Sequence, residues 1–208
     1  MNNQMTIACL DLEGVLIPEI WINLAEKTGI DELKLTTRDI ADYDELMTKR
    51  LEILDRHGLT LKDFQEVVAT MEPLEGAKAF LDWLQNQVEV IILSDTFREF
   101  AMPLIEKLGN PTMFCHSLAV DADSYRIEDY VLRQDDQKRK AVIALKSLNF
   151  RILSMGDSYN DLSMLQEADA GIFFKPTQKI TEEYPDIPVT RNYEELKSHL
   201  CSVHGFLP

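Results

Sequence analysis

Short apolar runs alternate with longer stretches of helical periodicity along this chain of 208 residues. This alternation predicts a parallel β-sheet wrapped by helices. Three runs have the length and composition of buried strands, and polar residues follow each one. They are Thr6–Leu10 before Asp11, Val88–Leu93 before Ser94 and Asp95, and Arg151–Met155 before Gly156 and Asp157. Because ligands of open α/β sheets bind outside the carboxyl ends of the strands, we expect these polar residues to line one crevice.

About seventy residues with little strand character separate the first two strands, far more than the dozen or so that a crossover needs. Apolar positions in this segment repeat with helical spacing, and Gly29 and Gly58 mark two helix ends. Thr60 and Asp63 have the spacing of a capping box that opens a third helix. We therefore expect a helical cap, residues 17–71, inserted into an α/β core. The core would be a Rossmann-like doubly wound parallel sheet formed by residues 1–16 and 72–208, with a β-hairpin over residues 118–132.

The net charge is −15, from 21 basic and 36 acidic residues. A field of this sign repels nucleic acid and anionic membranes, so we expect neither as a partner. Cys9, Cys115 and Cys201 are far apart and lack zinc-site spacing, which predicts free thiols. No apolar run approaches a spanning helix and no secretory signal is evident, so we expect a cytoplasmic protein. Its oligomeric state stays open, with a homodimer among the options.

The acidic residues after the strands admit both structural and chemical interpretations. If the first strand continues straight, Asp11 and Glu13 share one face, and two like charges there need a cation or a proton. A solvated turn is the alternative. The segment after Gly156 could equally be a helix N-cap with favourably placed acids. Arg50 interrupts an apolar helical stripe, either because its alkyl stem packs there or because its guanidinium binds a carboxylate.

Three segments together carry a resemblance that none carries alone. Asp11-Leu12-Glu13-Gly14-Val15, Leu93-Ser94-Asp95-Thr96 and Gly156-Asp157-Ser158-Tyr159-Asn160-Asp161 resemble motifs one, two and four of the haloacid dehalogenase superfamily. The superfamily also places a basic residue upstream of the fourth motif. Lys138, at the start of a predicted helix, matches best, and Lys140 is the rival. A solvated Lys-Arg-Lys face is the structural alternative.

The helical insert resembles that of phosphoserine phosphatases, and the phrases CLDLEGVLIPEIW, ILSDTF and GDSYNDLSML resemble the ThrH-type branch. That branch has glutamate as the second acid of motif one, as Glu13 is here. The resemblance implies a Mg²⁺-dependent phosphatase for O-phospho-L-serine that also transfers phosphate to L-homoserine. It implies an aspartyl-phosphate on Asp11 and Glu13 as general acid and base. The implied Mg²⁺ ligands are Asp11, the backbone carbonyl of Glu13, and Asp157. The implied substrate-binding residues are Glu19 for the ammonium, Arg50 for the carboxylate, and Ser94 and Lys138 for the phosphate oxygens. Asn160 would orient the loop or touch the phosphate. Asp95 belongs to the same substrate-binding set, and both Asp95 and Asp161 would act as supporting or capping residues.

The same sequence admits three other functions. One is a phosphatase of the same superfamily for another small phosphomonoester. A true haloacid dehalogenase would displace halide at carbon without Mg²⁺, but the acid pair of motif one favours phosphoryl transfer. A non-catalytic module would bind phosphoserine without turnover, which the intact set of Asp11, Glu13, Lys138 and Asp157 disfavours.

Overall fold

The computed structural model describes residues 4–36, 39–40 and 42–207. Residues 1–3 and 208 of the expected core, and 37, 38 and 41 of the expected cap, lie outside the described residues. Within the described ranges, no helix combines the length and apolarity needed to cross a bilayer. The three cysteines are free thiols, as predicted.

A seven-stranded sheet forms the centre of the molecule. Its strands are β1 (Thr6–Leu10), β2 (Glu89–Phe97), β3 (Thr112–Val120), β4 (Ile127–Val131), β5 (Arg151–Gly156), β6 (Ala170–Phe174) and β7 (Val189–Thr190). Their spatial order is β4-β3-β2-β1-β5-β6-β7, and only β4 runs antiparallel to its neighbour. The chain steps outward from β1 to β2 and β3 on one side and continues with β5 to β7 on the other. The α/β prediction is confirmed, and the switch point at β1 is where such sheets open a crevice.

Nine α-helices cover or connect the strands in the part of the chain that the structure describes. They are α1 (Ile20–Thr28), α2 (Tyr43–Arg56), α3 (Leu61–Ala69), α4 (Ala77–Gln85), α5 (Arg98–Lys107), α6 (Gln137–Ser147), α7 (Leu162–Glu167), α8 (Gln178–Glu183) and α9 (Tyr193–His204). The described residues also form 3₁₀ turns at Asp31–Lys34 and Tyr159–Asp161.

Alternate residues of β1 face opposite sides of the sheet, as the two-residue period of a strand requires. Ala8 and Leu10 join one buried apolar cluster, and Ile7 and Cys9 join another. The central strand is therefore buried on both faces, which is typical of a parallel sheet with helices on each side.

Helices α1, α2 and α3 lie between β1 and β2, within residues 17–71 of the expected insert. Gly29 ends α1 in the left-handed conformation, and the Asp63 carboxylate accepts a hydrogen bond from the Thr60 backbone N–H at 2.7 Å. The Phe64 ring of α3 stacks on Phe100 of α5, with centroids 3.5 Å apart. These contacts pack the insert against the helix that begins at the carboxyl end of β2.

Strands β3 and β4 form the predicted hairpin. The prediction for β2 was too short, because the strand continues four residues beyond Leu93. Its register against β3 shifts between Leu93 and Phe97, and Phe97 then pairs with His116. Ser94 and Asp95 consequently lie within the irregular part of β2 and not after its end.

Candidate active site

Asp11 is the first residue after β1 and lies at the switch point of the sheet. Its backbone N–H donates to the Met155 carbonyl at 2.9 Å, so it continues the pairing of β1 with β5. This central position buries Asp11, which is only 4% exposed. A buried carboxylate requires a partner for its charge. Lys138, the second residue of α6, supplies it, because its Nζ donates to Asp11 Oδ1 at 2.8 Å.

Lys138 is a shared cation for three carboxylates. Its Nζ also donates to Asp161 Oδ1 at 2.7 Å and lies 3.5 Å from Asp95 Oδ2. Burial alone would lower the pKa of Lys138, but the charges of Asp11, Asp161 and Asp95 outweigh burial and raise that pKa well above its ordinary value. The lysine therefore stays charged at neutral pH. Lys140, the rival in the sequence, is exposed, so of these two lysines Lys138 is the one that reaches the crevice.

Two carboxylates reach the same crevice from the loop after β5. Asp161 Oδ2 accepts hydrogen bonds from the backbone N–H groups of Asp157 and Ser158, at 2.9 and 3.2 Å. Oxygens of Asp11, Asp157 and Asp161 all lie within 4.8 Å of one another. Burial and the neighbouring carboxylates, Asp161 first, raise the pKa of Asp157 to about 7. Burial, with Asp161 next in effect, also raises the pKa of Asp11 well above its ordinary value.

This donor set fits a small hard cation. Mg²⁺ prefers carboxylate and carbonyl oxygens, and oxygens of Asp11, Asp157 and Asp161 lie close enough together to hold one metal ion. Asp161 was not in the expected ligand set. Its two oxygens already accept hydrogen bonds from Lys138 and from two backbone N–H groups. Asp161 therefore connects the start of α6 to the loop after β5, whether or not it also binds a metal.

Two glycines allow the acids to approach so closely. Gly14 has a φ of +77°, and a Cβ built there would lie 2.5 Å from Asp157 Oδ2. A Cβ on Gly156 would lie 2.4 Å from Cβ and Cγ of Asp161. The side chains of Asp157 and Asp161 therefore occupy the space that any other residue at these two positions would need.

Glu13 lies two residues beyond Asp11 and faces the insert. Its Oε1 accepts a hydrogen bond from the Ile20 backbone N–H, at the start of α1, at 3.3 Å. Burial and the nearby charge of Glu19 raise the pKa of Glu13 to about 8, although Ile20, Arg50 and Lys138 act in the opposite direction. Glu13 thus lies between the lysine of the core and the charged residues of the insert.

Arg50 is buried in α2, and its guanidinium is only partly satisfied. Nη2 donates to the Leu35 carbonyl at 2.8 Å, and Cζ lies 4.3 Å from the centroid of the Trp21 ring. Nε is buried and has no hydrogen-bond partner among the described residues. Burial lowers the pKa of Arg50 to about 10, against the charges of Glu13 and, more weakly, Glu19. The structure thus brings the two predicted insert residues, Arg50 and Glu19, to the Glu13 side of the crevice.

The remaining predicted residues lie around Lys138. Ser94 is buried, and its Oγ accepts from the Thr96 backbone N–H at 3.2 Å. Asn160, although exposed, donates through Nδ2 to Asp95 Oδ2 at 3.2 Å. Burial would raise the pKa of Asp95, but the charge of Lys138 and the hydrogen bonds to the carboxylate outweigh it, and that pKa is lowered. Asp95 is therefore an ionised link between Lys138 and Asn160.

A cavity of about 360 Å³ adjoins these groups. It runs from the N-terminus of α2 to the start of α6, and Tyr43, Asp95, His116, Lys138 and Asn160 contribute to its walls. The Tyr43 hydroxyl donates to the Asp95 carbonyl at 3.3 Å, which joins the insert to β2 at the rim of the cavity. The space is large enough for a small polar molecule beside Lys138.

Residues 5–169 match the family model of the haloacid dehalogenase-like hydrolases. The chain belongs to this family. The resemblance seen in the sequence is thereby confirmed. This haloacid dehalogenase-like hydrolase is 60% identical over 193 residues to the phosphoserine phosphatase ThrH of Pseudomonas aeruginosa, which covers 93% of this chain and 94% of the relative. It is 57% identical over 191 residues to a phosphoserine phosphatase of Pseudomonas syringae pv. tomato, at 92% and 80% coverage.

Solved structures show the same fold. A phosphoserine phosphatase in apo form matches this hydrolase with a TM-score of 0.75 and 22% identity, covering 95% of this chain and 98% of that chain. A phospho-aspartyl intermediate analogue of phosphoserine phosphatase matches with a TM-score of 0.77 and 20% identity, at 97% and 100% coverage. At such identities the likeness concerns the fold.

Sequence reasoning missed two buried polar residues of this hydrolase, Gln137 and His116, which are 2% and 5% exposed. Gln137 immediately precedes Lys138, and His116 lies within the largely apolar β3. Both contact or face Asp95. A polar residue inside an apolar strand was the available signal for His116. Gln137 gave none, because glutamine at the first position of a helix is ordinarily exposed.

Proposed function

We propose that the protein is a phosphoserine phosphatase that forms an aspartyl-phosphate on Asp11, and that homoserine competes with water for this phosphate. The observation that carries the proposal is the buried ion pair of Asp11 with Lys138 at the switch point. A lysine that fixes one oxygen of a buried carboxylate orients that carboxylate for attack and supplies positive charge where phosphate would arrive. The names of the two Pseudomonas relatives support phosphoserine as the substrate.

In the first step, an oxygen of Asp11 attacks phosphorus and the bond from phosphorus to the serine oxygen breaks. Lys138, Ser94 and Asn160 would hold the phosphate oxygens during this displacement. Glu13 would give its proton to the departing serine oxygen. The raised pKa of Glu13, about 8, favours a protonated carboxyl at neutral pH, as a general acid requires.

In the second step, water attacks the aspartyl-phosphate and the bond from phosphorus to the Asp11 oxygen breaks. Glu13, now deprotonated, would accept the proton of the water. Inorganic phosphate leaves, and Asp11 and Glu13 return to their starting states. One carboxyl group thus serves as acid and then as base.

Asp11, the backbone carbonyl of Glu13, and Asp157 would hold a Mg²⁺ ion. When bound, the ion supplies positive charge that offsets the carboxylates of the crevice and the phosphate dianion. Asp161 would keep Asp157 in place through its hydrogen bond to the Asp157 backbone N–H.

Arg50 and Glu19 would recognise the amino-acid part of the substrate. The unpartnered Nε of Arg50 suits one oxygen of the serine carboxylate, because a guanidinium binds carboxylates through two neighbouring N–H groups. Glu19 would bind the ammonium group. Homoserine carries the same two groups, so it could occupy this site after serine leaves and present its hydroxyl to the aspartyl-phosphate.

The test measures phosphate release from O-phospho-L-serine, O-phospho-L-threonine and p-nitrophenyl phosphate, with Mg²⁺ and with a chelator. We expect phosphoserine to be preferred and Mg²⁺ to be required. Asp11→Asn should abolish turnover, and the exposed control Asp123→Asn should not. Mass spectrometry of trapped enzyme should locate phosphate on Asp11. Phosphate on another residue would refute the mechanism, and poor turnover of phosphoserine would refute the substrate.

The transfer reaction is tested by adding homoserine to enzyme, Mg²⁺ and phosphoserine. ³¹P NMR should show O-phosphohomoserine beside inorganic phosphate. Inorganic phosphate alone at saturating homoserine would mean that the protein is a phosphatase and not a transferase.

A further inference from the structure

Gln137 is a buried glutamine whose side-chain amide forms hydrogen bonds through both its nitrogen and its oxygen. Its Nε2 donates to the Ser94 carbonyl at 2.9 Å and to Asp95 Oδ1 at 3.1 Å. Its Oε1 accepts from Arg133 Nη2 at 2.6 Å. An amide nitrogen has two protons, and the two acceptors of β2 take both of them.

Arg133 determines which way this amide faces. A guanidinium only donates, so its contact with Oε1 places the amide nitrogen of Gln137 toward β2. The same Nη2 also donates to the Gln137 backbone carbonyl at 3.1 Å. The backbone N–H of Arg133 donates to His116 Nδ1 at 3.1 Å, which leaves the ring proton on His116 Nε2. That nitrogen lies 3.7 Å from Asp95 Oδ1, so its N–H dipole attracts the same oxygen that Gln137 binds.

Asp95 connects Gln137 and His116 to two groups proposed to bind the phosphate, Asn160 and Lys138. Oδ1 faces Gln137 and His116, whereas Oδ2 accepts from Asn160 Nδ2 at 3.2 Å and lies 3.5 Å from Lys138 Nζ. Rotation of the carboxylate would release Asn160 and shift the charge that Lys138 faces. Gln137 therefore links β2 to the helix that carries Lys138, through one side chain adjacent to that lysine in sequence.

We propose that Gln137 is a positioning residue: it fixes Ser94 and Asp95 relative to Lys138, and so sets the geometry of the phosphate-binding groups. The inference rests on the proposed phosphatase function and adds a residue to it. Gln137 binds no reacting atom in this scheme. A displacement of about 1 Å in such groups costs up to roughly 100-fold in rate, so the loss should appear mainly in kcat.

Two variants separate positioning from folding. Gln137→Met keeps the volume but removes every hydrogen bond of the amide. Gln137→Glu keeps the shape and an acceptor for Arg133, yet places a carboxylate against Asp95 and the Ser94 carbonyl. We expect each to lower kcat by about ten- to hundred-fold with KM changed less than about threefold. Gln178→Met is the matched control, because Gln178 is also the first residue of a helix but is exposed.

Two measurements distinguish a positioning role of Gln137 from a purely structural one: a comparison of two substrates, and a double-mutant cycle with Asp95. Since Gln137 acts on the phosphate side, kcat should fall equally for phosphoserine and p-nitrophenyl phosphate. In an Asp95→Asn background, Gln137→Met should cost much less than in the wild type, because its target is already altered. Folding is monitored by urea unfolding of each variant.

Full kcat in a folded Gln137→Glu enzyme, or fully additive losses in the double variant, would overturn the inference. If the wild type turns over p-nitrophenyl phosphate but not phosphoserine, only the proposal of phosphoserine as the substrate is refuted. The Gln137 variants, assayed on p-nitrophenyl phosphate, would still decide this inference. Absence of turnover on every phosphate ester would overturn both proposals.

Discussion

Replacing Lys138 by methionine should destabilise the protein far more than a typical surface substitution. The change removes the cation that lies 2.8 Å from Asp11 and 2.7 Å from Asp161, and these two acids are 4% and 0% exposed. Breaking a buried pair by removing one partner costs about 3–5 kcal/mol, because the other charge stays buried without compensation. With an unfolding slope of about 2 kcal/mol per molar urea, the midpoint should fall by roughly 1.5–2.5 M.

The assay is urea unfolding followed by circular dichroism at pH 7.5 in the presence of a chelator. The pKa of Lys138 is raised in the folded state, so its stabilising charge is fully present below the unfolded value of about 10.4 and is lost only as pH rises through the folded value. At pH 7.5 the experiment therefore measures a charged lysine. Lys140→Met is the matched control on the same helix, where the side chain is exposed. We expect the control to change stability by less than about 0.5 kcal/mol.

Addition of Mg²⁺ should then reduce the deficit of Lys138→Met, because a cation bound by Asp11 and Asp157 stabilises the folded state that binds it. A loss below 1 kcal/mol, or equal losses for the two lysine variants, would show that the acids of the crevice do not depend on Lys138. That result would refute the claim that Lys138 compensates the buried charges of Asp11 and Asp161.

Three further substitutions test other parts of the site. Gly14→Ala should cost about 1–3 kcal/mol in urea unfolding and most of the activity, because it adds left-handed strain and forces Asp157 to move. Arg50→Ala should lower kcat/KM for phosphoserine by about ten- to hundred-fold, the cost of one charge-assisted contact, while p-nitrophenyl phosphate is affected much less. Glu13→Asp should change the ratio of transfer to hydrolysis more than it changes formation of the phosphoenzyme, as measured by product analysis and by burst amplitude.

Matched controls accompany these substitutions. Gly58 also has a positive φ, of +64°, but a Cβ there meets nothing within 4 Å, so Gly58→Ala isolates backbone strain from the clash with Asp157. Arg56 lies on the same helix as Arg50 and is exposed, so Arg56→Ala should leave both substrates unaffected. Similar effects at both glycines would contradict the clash, and equal losses on both substrates would make Arg50 structural. An unchanged product ratio in Glu13→Asp would show that Glu13 does not determine whether water or homoserine accepts the phosphate.

Local signals in the sequence predicted much of the fold. The bounds of β1 are those predicted, and Gly29 and the pair Thr60 and Asp63 delimit helices through contacts between near neighbours. The helical spacing of Ala141, Val142 and Leu145 also predicts that Leu148 is buried on the same face of α6. This prediction is wrong, because Leu148 follows the last turn of the helix and is 67% exposed. The helical period continues in the sequence beyond the point at which the helix ends.

The candidate site was predictable only where resemblance or strand ends indicated it. The structure brings together Asp11 and Asp157, which follow β1 and β5, and Lys138 at the start of α6. Ser94 joins them from the irregular part of β2. The contact of Asp161 with Lys138 spans 23 positions in the sequence and depends on how the start of α6 packs against the 3₁₀ turn after β5. Gln137 was missed for the same reason, since its partners on β2 lie more than forty positions away.

The close approach of Asp157 to Gly14 also limits the order in which these two positions can change during evolution. A side chain at position 14 has room only after position 157 has become smaller, whereas loss of the Asp157 carboxylate does not require any change at position 14. The reverse route passes through a clashing intermediate. Among related sequences, we therefore expect a larger residue at position 14 only together with a smaller one at position 157. Such paired exchanges would mark lineages that have abandoned this carboxylate, and would be recognisable from sequence before any assay is made.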